Sequence, residues 1–415
     1  MKVYLESIGC KLNQSEIETL ARHFAAWGHK VVSTPKEADI CVLNSCTVTH
    51  VAARKSRQAA RRMRRRNPAA RVVVTGCYAE LSPAELEADV VVGNADKAQL
   101  AERLLGQKLP HPPLPFLPPS SLLQSRSRAF VKIQDGCDNH CTYCITRIAR
   151  GPQRSRPRAE VLAEVRARVE AGYQEVVLTG VHIGAYGRDH GQSPLDSLWE
   201  LVEAILSQTH VRRLRLSSIE PWDMRPDALG LWDDPRLCRH LHLPLQSGSD
   251  ETLRRMGRRY TAAEFAGLAE SARAAIPGVA ITTDTIVGFP GETESQFEES
   301  LAFVKRLGFA RGHVFPYSSR PGTPAASLPD HVPPSEKKRR AALMRAVVQR
   351  TAIQFQEQFV GQEAQVLWET RRNGQWRGLT DNYLRVMTKS DAQLAQSITP
   401  VRLTALVNGG LRGIL

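Results

Sequence analysis

Short apolar runs alternate with helix-like segments along two long parts of the sequence, and this alternation constrains the fold more than any other feature. Residues 1–105 contain helix-like segments at 15–27 and 51–67, set between four strand-like runs: KVYLESIGC, ADICVLNSC, ARVVVTGC and ADVVVGN. Apolar strands that alternate with helices are typical of a parallel sheet with helices on both faces. Residues 1–105 are therefore predicted to form a doubly wound α/β domain.

The alternation resumes in residues 128–330, with helix-like segments at 159–171, 196–208, 261–275 and 292–307. The six strand candidates are FVKIQDGC, EVVLTG, RLRLSSIEP, HLHLPLQSG, AITTDTIVGFPG and GHVFPYSSRPG. Six strand–helix units predict a partial (β/α)6 barrel, which is smaller than the usual eight-unit form. Ligands in such folds bind at the carboxyl ends of the strands, so the polar residues at these ends are candidate site residues.

Three other parts of the chain have a different character. Residues 106–127 are dense in proline, which disfavours a regular helix or a central strand and predicts an extended linker. Residues 331–359 are predicted to be a basic helical connector. Residues 360–415 contain runs such as QEAQVLWETRR and TPVRLTALV, which predict antiparallel strands and a small β-barrel.

The net charge of +14 favours a polyanionic partner, with nucleic acid as the first candidate. No run approaches the roughly 18 apolar residues of a membrane span, and the start MKVYLESIGC lacks the apolar core of a signal peptide. We therefore expect a cytoplasmic protein that does not associate with membranes. Disulfides rarely persist in the cytoplasm, so the eight cysteines are expected to be metal ligands, catalytic thiols or buried small residues.

Three cysteines crowd into the stretch GCDNHCTYC: Cys137, Cys141 and Cys144, here called the central trio. A structural zinc site needs four protein ligands, and His140 is an awkward fourth because it lies directly beside Cys141. An iron–sulfur cluster bound by three cysteines instead leaves one iron open for a small molecule. The spacing favours such a cluster, and zinc remains the alternative.

Three more cysteines each end a predicted strand: Cys10, Cys46 and Cys77, here called the N-terminal trio. Because the carboxyl ends of parallel strands share one edge of a sheet, these thiols are expected to converge. A second cluster with an open iron is the interpretation that follows. Cys41 and Cys238 lie in or beside apolar segments and are expected to be buried small residues.

The stretch GCDNHCTYC resembles the radical S-adenosylmethionine (SAM) signature, with Tyr143 in its aromatic position. Together with the N-terminal trio and the predicted barrels, it is similar to the methylthiotransferase family over essentially the whole chain. Stretches such as IGCKLNQSE, NSCTVTHVAARKSRQ and LTGVHIGAYG resemble the branch that acts on threonylcarbamoyladenosine in tRNA. One departure is ITRIARG after Cys144, where many relatives have a proline before the Arg-Gly pair.

This resemblance implies a transferase that replaces a carbon–hydrogen bond by a methylthio group at carbon 2 of threonylcarbamoyladenosine, at position 37 of tRNA. It implies two [4Fe–4S] clusters and SAM. The central trio would bind a cluster that holds SAM and reductively cleaves it to a deoxyadenosyl radical. The N-terminal trio would bind the cluster that supplies sulfur, and a second SAM would supply the methyl group. Radical chemistry is required because no side chain is basic enough to deprotonate this carbon.

The predicted barrel offers candidate SAM contacts at its strand ends. The resemblance places Gly180 beside the methionine end of SAM, whereas its structural alternative is a turn. Ser218 and Glu220 are candidates for bonding the ribose, Gln246 lies in a similar position, and residues 286–292 resemble the adenine-side segment. Each of these has a structural alternative, because polar residues also cap strand ends.

The expected macromolecular partner is the anticodon arm of tRNA. Candidate contacts are the arginines of segment 54–71, Arg150, Arg154 and Arg156, and, in the terminal module, Trp368, Arg371, Arg372, Trp376 and Arg377. This module is similar to TRAM-type RNA-binding modules, in which aromatic and arginine side chains stack on bases and contact phosphates. A flavodoxin or ferredoxin is expected as electron donor, and a monomer is expected.

Three alternatives remain open from the sequence. Isopentenyladenosine in tRNA is one alternative substrate, and an aspartate of a ribosomal protein is another. A zinc-dependent RNA-binding protein is the alternative of a different class. The basic segment 54–71 and the arginine-rich terminal module favour RNA over the ribosomal protein.

Overall fold

The computed structural model describes residues 1–106, 127–190 and 197–415. The linker predicted for 106–127 therefore lies, except for its two end residues, outside the described part of the chain, as does the first residue of the helix predicted for 196–208. Elsewhere the predicted helices and strands are present, with ends that differ by a few residues.

A five-stranded parallel sheet forms the N-terminal domain, in the order β2-β1-β3-β4-β5. Its strands are β1 (Lys2–Ser7), β2 (Lys30–Val32), β3 (Ile40–Ser45), β4 (Arg71–Gly76) and β5 (Val90–Val92). The middle strands β3 and β4 are buried along almost their whole length, as expected for strands covered on both faces.

Helices cover both faces of this sheet, which confirms the doubly wound arrangement. They are α1 (Lys11–Ala26), α2 (His50–Arg66), α3 (Cys77–Leu81) and α4 (Leu100–Leu105). One face of the sheet packs against large apolar residues of α1 and α4, including Phe24 and Leu100. The other packs against small residues of α2 and Met63, so α2 lies close to the sheet while its arginines point away from the core.

The central domain contains six parallel strands in the order β6-β9-β10-β11-β12-β13, with β10 and β11 joined by isolated bridges such as Ser218↔His242. They are β6 (Arg128–Lys132), β9 (Glu175–Thr179), β10 (Leu214–Leu216), β11 (His240–His242), β12 (Ala280–Val287) and β13 (Arg311–Pro316). Two further short strands, β7 (Gln134–Asp135) and β8 (Arg154–Ser155), pair with each other in the antiparallel direction. This is the partial (β/α)6 barrel that the alternation predicts.

The helices of this domain pack outside the strands around the largest apolar core of the protein. They are α5 (Thr146–Arg150), α6 (Arg158–Glu170), α7 (Leu198–Gln208), α8 (Asp250–Arg255), α9 (Ala262–Ala275) and α10 (Glu294–Leu307). Capping boxes fix the starts of α9 and α10, through Thr261 with Glu264 and Thr293 with Gln296. The connector is the helix α11 (Pro334–Glu357).

The C-terminal strands close a small barrel in the order β14-β15-β16-β18-β17. They are β14 (Glu363–Arg372), β15 (Gln375–Thr380), β16 (Arg385–Lys389), β17 (Ile398–Val407) and β18 (Gly410–Ile414). All pairings are antiparallel except β16 with β18, which is parallel.

Three arginines, of which Arg213 and Arg215 are buried, dock the small barrel onto the amino ends of the central strands. Arg213 and Arg215 donate hydrogen bonds to the backbone carbonyls of Gln365 and Asp381, at 2.7 and 2.8 Å. Arg239 forms an ion pair with the Asp381 carboxylate at 2.6 Å. The C-terminal module therefore lies at the end of the central strands opposite the carboxyl ends. No helix of the described residues is both long and apolar enough to cross a membrane.

Candidate active site

The N-terminal trio lies at one edge of the N-terminal sheet. Cys46 and Cys77 directly follow β3 and β4, whose last residues, Ser45 and Gly76, pair with each other. Cys10 follows β1, the other neighbour of β3, and is the N-cap of α1. The strand order thus brings the three cysteines together, as the parallel arrangement leads one to expect.

Glycine is required where these chains approach each other. Gly9 has φ +109, and a Cβ at this position would lie 2.8 Å from the Sγ of Cys46. Gly76 has φ +96, and its Cβ would lie 2.4 Å from the carbonyl oxygen of Ser45. Both backbones adopt the left-handed region, so a larger residue would be strained as well as obstructed. The close approach of Gly9 holds the chain before Cys10 against Cys46.

The three residues differ in exposure. Cys10 is exposed as a whole residue, whereas Cys46 and Cys77 are buried. Burial raises the pKa of Cys46 to about 11, because water no longer stabilises the thiolate. Desolvation by the surrounding protein also raises the pKa of Cys10, and the Arg150 guanidinium opposes that effect. Without a bound cation or cluster, Cys46 is therefore a neutral thiol at physiological pH.

The central trio occupies a tight loop between β7 and α5, at the carboxyl end of β6. The backbone N–H of Cys144 donates to the carbonyl of Cys141 at 3.1 Å, and that of Cys137 donates to Gly151 at 3.1 Å. Thr142 fastens the loop to the end of α8, since its Oγ1 donates to the carbonyl of Arg255 at 2.9 Å. These contacts fix the relative positions of the cysteines before any ligand binds.

Two side chains that were not predicted from the sequence contact the central trio. Arg258 donates to the Sγ of Cys141 at 3.5 Å, and His182 Nδ1 lies 3.9 Å from the Sγ of Cys137. His182 is held by Asp223, whose Oδ2 lies 2.5 Å from its Nε2, and its pKa is raised to about 9. Burial alone would lower this pKa, but the hydrogen bonds to Asp223 and Cys137 outweigh it. The sequence feature that could have identified His182 is its position two residues after Gly180, which ends a predicted strand.

Two of the predicted SAM contacts lie beside the central trio. Glu220 forms an ion pair with Arg258, which in turn contacts Cys141. Tyr143 packs in an apolar cluster with Phe289. The two rings are arranged edge to face, with their centroids 6.5 Å apart. Phe289 belongs to the segment 286–292, which is predicted to lie on the adenine side of SAM.

The other predicted contacts have visible structural roles. A Cβ on Gly180 would lie 2.9 Å from the carbonyl oxygen of Gln134, so this glycine permits close packing at the turn. Gln246 has φ +63, and its backbone bonds both Asp284 and Ile286 on β12 at 2.8 Å. Ser218 forms the bridge to His242 that joins the two halves of the barrel. Their roles toward SAM stay predictions.

A buried ionic network connects the two trios. The Nε of Arg150, at the end of α5, donates to the Sγ of Cys77 at 3.2 Å. Its Nη1 donates to the carboxylates of both Glu16 and Asp135 at 2.9 Å. Asp135 lies two residues before Cys137, so one side chain links the N-terminal trio to the loop of the central trio. Lys97 and Lys132 complete the network by pairing with Glu16 at 2.7 and 3.0 Å.

This network corrects one interpretation. Arg150 is not an RNA contact, because it is 3% exposed and its guanidinium is fully engaged inside the protein. Arg156 also bonds inward, to Glu164 and the carbonyl of Lys132, both at 2.7 Å. Arg154 remains exposed.

The RNA-stacking role predicted for the tryptophans of the terminal module is wrong as well. Trp368 and Trp376 are buried in the core of the small barrel, so neither is available to stack on a base. The exposed arginines Arg371, Arg372 and Arg377 surround this core. On α2, several arginines pair with carboxylates of their own domain, for example Arg61 with Glu87 at 2.7 Å.

The donor sets of the two trios fit iron–sulfur clusters. All eight cysteines, which lie within the described residues, are free. Within the described residues, no group of three or more His, Cys, Asp or Glu side chains is arranged to hold a single metal ion. A cluster places its cysteines on different iron atoms and so uses a wider spacing than a single ion. Each trio also has one buried guanidinium directed at a sulfur, Arg150 at Cys77 and Arg258 at Cys141, which suits an anionic group.

Two family models match separate parts of this chain. Residues 131–304 match the family described as Radical SAM superfamily, and residues 2–94 match the family described as Uncharacterized protein family UPF0004. Each matched range contains one complete trio.

Curated relatives cover almost the whole chain. The chain is 37% identical to the threonylcarbamoyladenosine tRNA methylthiotransferase MtaB of Bacillus subtilis, over 97% of this chain and 93% of that protein. It is 38% identical to the protein of the same name from Thermotoga maritima, over 88% and 86%. It is 33% identical to the tRNA-2-methylthio-N(6)-dimethylallyladenosine synthase of Pelobacter propionicus, over 100% and 98%.

Solved structures share the fold at low identity. The radical S-adenosylmethionine methyltransferase TsrM from Kitasatospora setae, with cobalamin and a [4Fe-4S] cluster bound, has a TM-score of 0.58 at 16% identity. The match covers 78% of this chain and 77% of that chain. The cobalamin-dependent S-adenosylmethionine radical enzyme OxsB has a TM-score of 0.51 at 12% identity, over 83% and 56%.

Proposed function

The chain belongs to the radical SAM methylthiotransferase family, and on this premise we propose that it attaches a methylthio group to carbon 2 of threonylcarbamoyladenosine at position 37 of tRNA. Four curated relatives that carry the threonylcarbamoyladenosine name are 36–38% identical to it, whereas those named for dimethylallyladenosine are 31–33% identical. The difference in identity favours the first substrate.

In this proposal the central trio holds a [4Fe–4S] cluster and SAM. Bound together and reduced, they supply a radical strong enough to break an aromatic carbon–hydrogen bond. The protein's contribution is binding and electrostatics. Arg258 presents its charge to the Cys141 sulfur, and Glu220 balances that charge from the other side. Asp223 orients His182 toward Cys137. Ser218, Gly180 and Gln246 lie at strand ends and are proposed to line the SAM pocket with Tyr143.

The N-terminal trio is proposed to hold a second [4Fe–4S] cluster, the source of sulfur. The observation that carries the proposal is the Arg150 link, in which one guanidinium contacts Cys77 and the carboxylate of Asp135. A substrate that loses hydrogen at one cluster and gains sulfur at the other must meet both without diffusing away. The Arg150 network holds the two trios in the fixed relation that this sequence of events requires.

RNA is proposed to reach these sites along exposed arginines. Arg54, Arg65 and Arg66 are exposed on α2, which begins four residues after Cys46. Arg372 and Arg377 are exposed on the small barrel. The reaction needs a one-electron reductant, for which a flavodoxin or ferredoxin is the expected class. The enzyme is proposed to act as a monomer in the cytoplasm.

The direct test is mass spectrometry of tRNA nucleosides from cells that lack the protein. Loss of only the methylthio form of threonylcarbamoyladenosine, restored by the wild-type gene and not by Cys46→Ala, supports the proposal. Loss of the methylthio form of the dimethylallyl nucleoside would assign the other tRNA substrate. Unchanged tRNA nucleosides would contradict a role in tRNA modification.

A further inference from the structure

A cavity of about 460 Å³ opens beside the N-terminal trio, between α2 and the loop that follows β13. It is lined by His50, Val51, Ala53, Arg54, Arg57, Tyr78, Ser82, Glu85, Arg320 and Pro321. Tyr78 directly follows Cys77, and His50 lies four residues after Cys46. The cavity is therefore lined by the segments that follow Cys46 and Cys77, two of the three cysteines proposed to hold the sulfur source, although neither cysteine itself lines it.

Arg320 is the residue of this cavity whose environment is least explained by the protein itself. It is 7% exposed, yet within the described parts of the chain it forms no ion pair with a carboxylate, and its Nε has no hydrogen-bond partner. Its other nitrogens contact Thr47 Oγ1 and, at 3.2 Å, His50 Nδ1. A buried guanidinium that no carboxylate of the described residues pairs with is costly, so Arg320 would stabilise an anion that enters this cavity.

The rest of the cavity is also suited to an anion. The 17-residue helix α2 begins at His50 and has no acidic residue in its first turn, so its N-terminal partial positive charge adds to that of Arg320. Arg54 and Arg57 add two more guanidinium groups. The one carboxylate of the lining, Glu85, is engaged with Arg57 at 3.0 Å and with the Tyr78 hydroxyl at 2.6 Å.

The loop that carries Arg320 also contacts the central trio. The backbone N–H of Ala325 donates to the carbonyl of Thr142, between Cys141 and Tyr143, at 2.9 Å. A Cβ on Gly322 would lie 3.4 Å from the side chain of Ile148, which is 46% exposed on α5. This loop therefore spans the gap between the two trios, with Arg320 at the end next to Thr47.

We infer that the cavity around Arg320 is an anion-binding subsite that receives a negatively charged group of the RNA next to the reacting nucleobase. The inference rests on the proposed function, because it takes RNA as the substrate. Two groups share the required chemistry: a backbone phosphate of the anticodon loop, and the carboxylate of a threonylcarbamoyl substituent.

The test compares RNA binding by four full-length, anaerobically reconstituted proteins: wild type, Arg320→Gln, Arg320→Lys and Arg345→Gln. Arg345 is exposed on α11, so its variant controls for the loss of one positive charge. The probes are anticodon-arm RNAs that carry threonylcarbamoyladenosine, dimethylallyladenosine or plain adenosine. Loss of a charge-assisted hydrogen bond in a buried site is expected to weaken binding by about 10- to 100-fold in Arg320→Gln. Arg320→Lys retains the charge and is expected to recover part of this loss.

The three RNAs distinguish the sources of the anion. If it is a phosphate, Arg320→Gln weakens binding of all three, and the slope of log affinity against log salt falls by about 0.7–0.9. If it is the carboxylate, only the threonylcarbamoyl RNA loses affinity. The inference is overturned if Arg320→Gln binds every RNA as tightly as Arg345→Gln does.

Product formation by the wild-type protein separates this inference from the proposed function. If the wild-type protein methylthiolates the RNA and Arg320→Gln binds the RNA normally, the proposed function stands and the subsite is refuted. If the wild-type protein binds RNA through Arg320 but forms no methylthio product, the subsite stands and the proposed function is refuted. A wild-type protein that binds none of the RNAs contradicts both.

Discussion

The Nε of Arg150 donates to the Sγ of Cys77 across 3.2 Å, so a residue of the central domain reaches directly to a cysteine of the N-terminal trio. The same guanidinium bonds Glu16 of α1 and Asp135 beside the central trio. Both carboxylates are buried, and Glu16 has its pKa held well below the usual range: burial would raise it, but Lys97, Arg150 and Lys132 outweigh that effect.

Replacement of Arg150 by methionine should therefore destabilise the protein. The change leaves two buried carboxylates with less compensation, and the loss of one partner of a buried ionic network costs about 3–5 kcal/mol. Thermal unfolding monitored by circular dichroism should show a midpoint lower by roughly 5 °C or more. Arg147→Gln, an exposed position on the same helix, should change the midpoint little. Equal midpoints for the two variants would remove the structural role assigned to Arg150.

The two trios should fail differently when a cysteine is removed. Cys141→Ala should abolish reductive cleavage of SAM, because the central trio then lacks a ligand. Cys46→Ala should retain cleavage but form no methylthio product, because only the N-terminal trio is incomplete. Chromatography of deoxyadenosine and mass spectrometry of the RNA measure the two outcomes. Normal product from Cys46→Ala would refute the sulfur-donating role of the N-terminal trio.

Glu164 should contribute stability at neutral pH that disappears in acid. Burial alone would raise its pKa, but Arg22, Arg156 and Arg168 outweigh it and lower the pKa to about 2. Because the folded-state pKa is below the ordinary value near 4.5, the contribution is present above pH 4.5 and is lost as pH falls toward 2. The shift corresponds to roughly 3 kcal/mol at neutral pH.

Glu164→Gln should accordingly lower the thermal midpoint at pH 7, and the difference from wild type should shrink as the pH is lowered below 4.5. Arg22 lies in the N-terminal domain and pairs with Glu164 at 3.2 Å, so the variant also tests the contact between the domains. Glu160→Gln, at an exposed position on the same helix, is the control. A pH-independent difference would show that the charge of Glu164 is not responsible.

Trp368 should affect stability and not RNA recognition. It is fully buried, and its Nε1 donates to Thr399 Oγ1 at 2.8 Å. Trp368→Phe removes this bond and leaves a cavity, so the small barrel should unfold at a lower temperature, while RNA affinity below that temperature stays within about twofold. The double variant Arg372→Gln/Arg377→Gln should weaken RNA binding and leave the unfolding temperature of the small barrel nearly unchanged. A large loss of affinity in Trp368→Phe, with the barrel intact, would restore the stacking role.

The N-terminal trio shows what a sequence can predict about a site. Its convergence follows from a rule of topology: parallel strands place their carboxyl ends at one edge, and Cys10, Cys46 and Cys77 each follow a strand. The central trio is confined to one short loop, so its proximity needs no tertiary information. The order of the strands, which makes β1, β3 and β4 neighbours, was not readable from the local pattern.

The roles of side chains that contact another domain were harder to predict from the sequence. Arg150 lies in an arginine-rich stretch whose exposed and buried members look alike, and only the packing of Glu16 and Asp135 around it shows its role. Trp368 lies between Leu367 and Glu369 and Trp376 between Gln375 and Arg377, and these contexts fit both a barrel core and a stacking surface. Arg320 follows a strand in a loop, and only the folded structure shows that it is buried with no ion-pair partner among the described residues.

The central claim is that two iron–sulfur clusters, one on each trio, lie together at a single site. Pulsed electron paramagnetic resonance of the reduced, fully reconstituted protein tests it most directly. The account predicts a magnetic interaction between two paramagnetic centres, which disappears in Cys46→Ala while the signal of the cluster on the central trio remains. A wild-type protein with a single centre, or with two centres that do not interact, would contradict it.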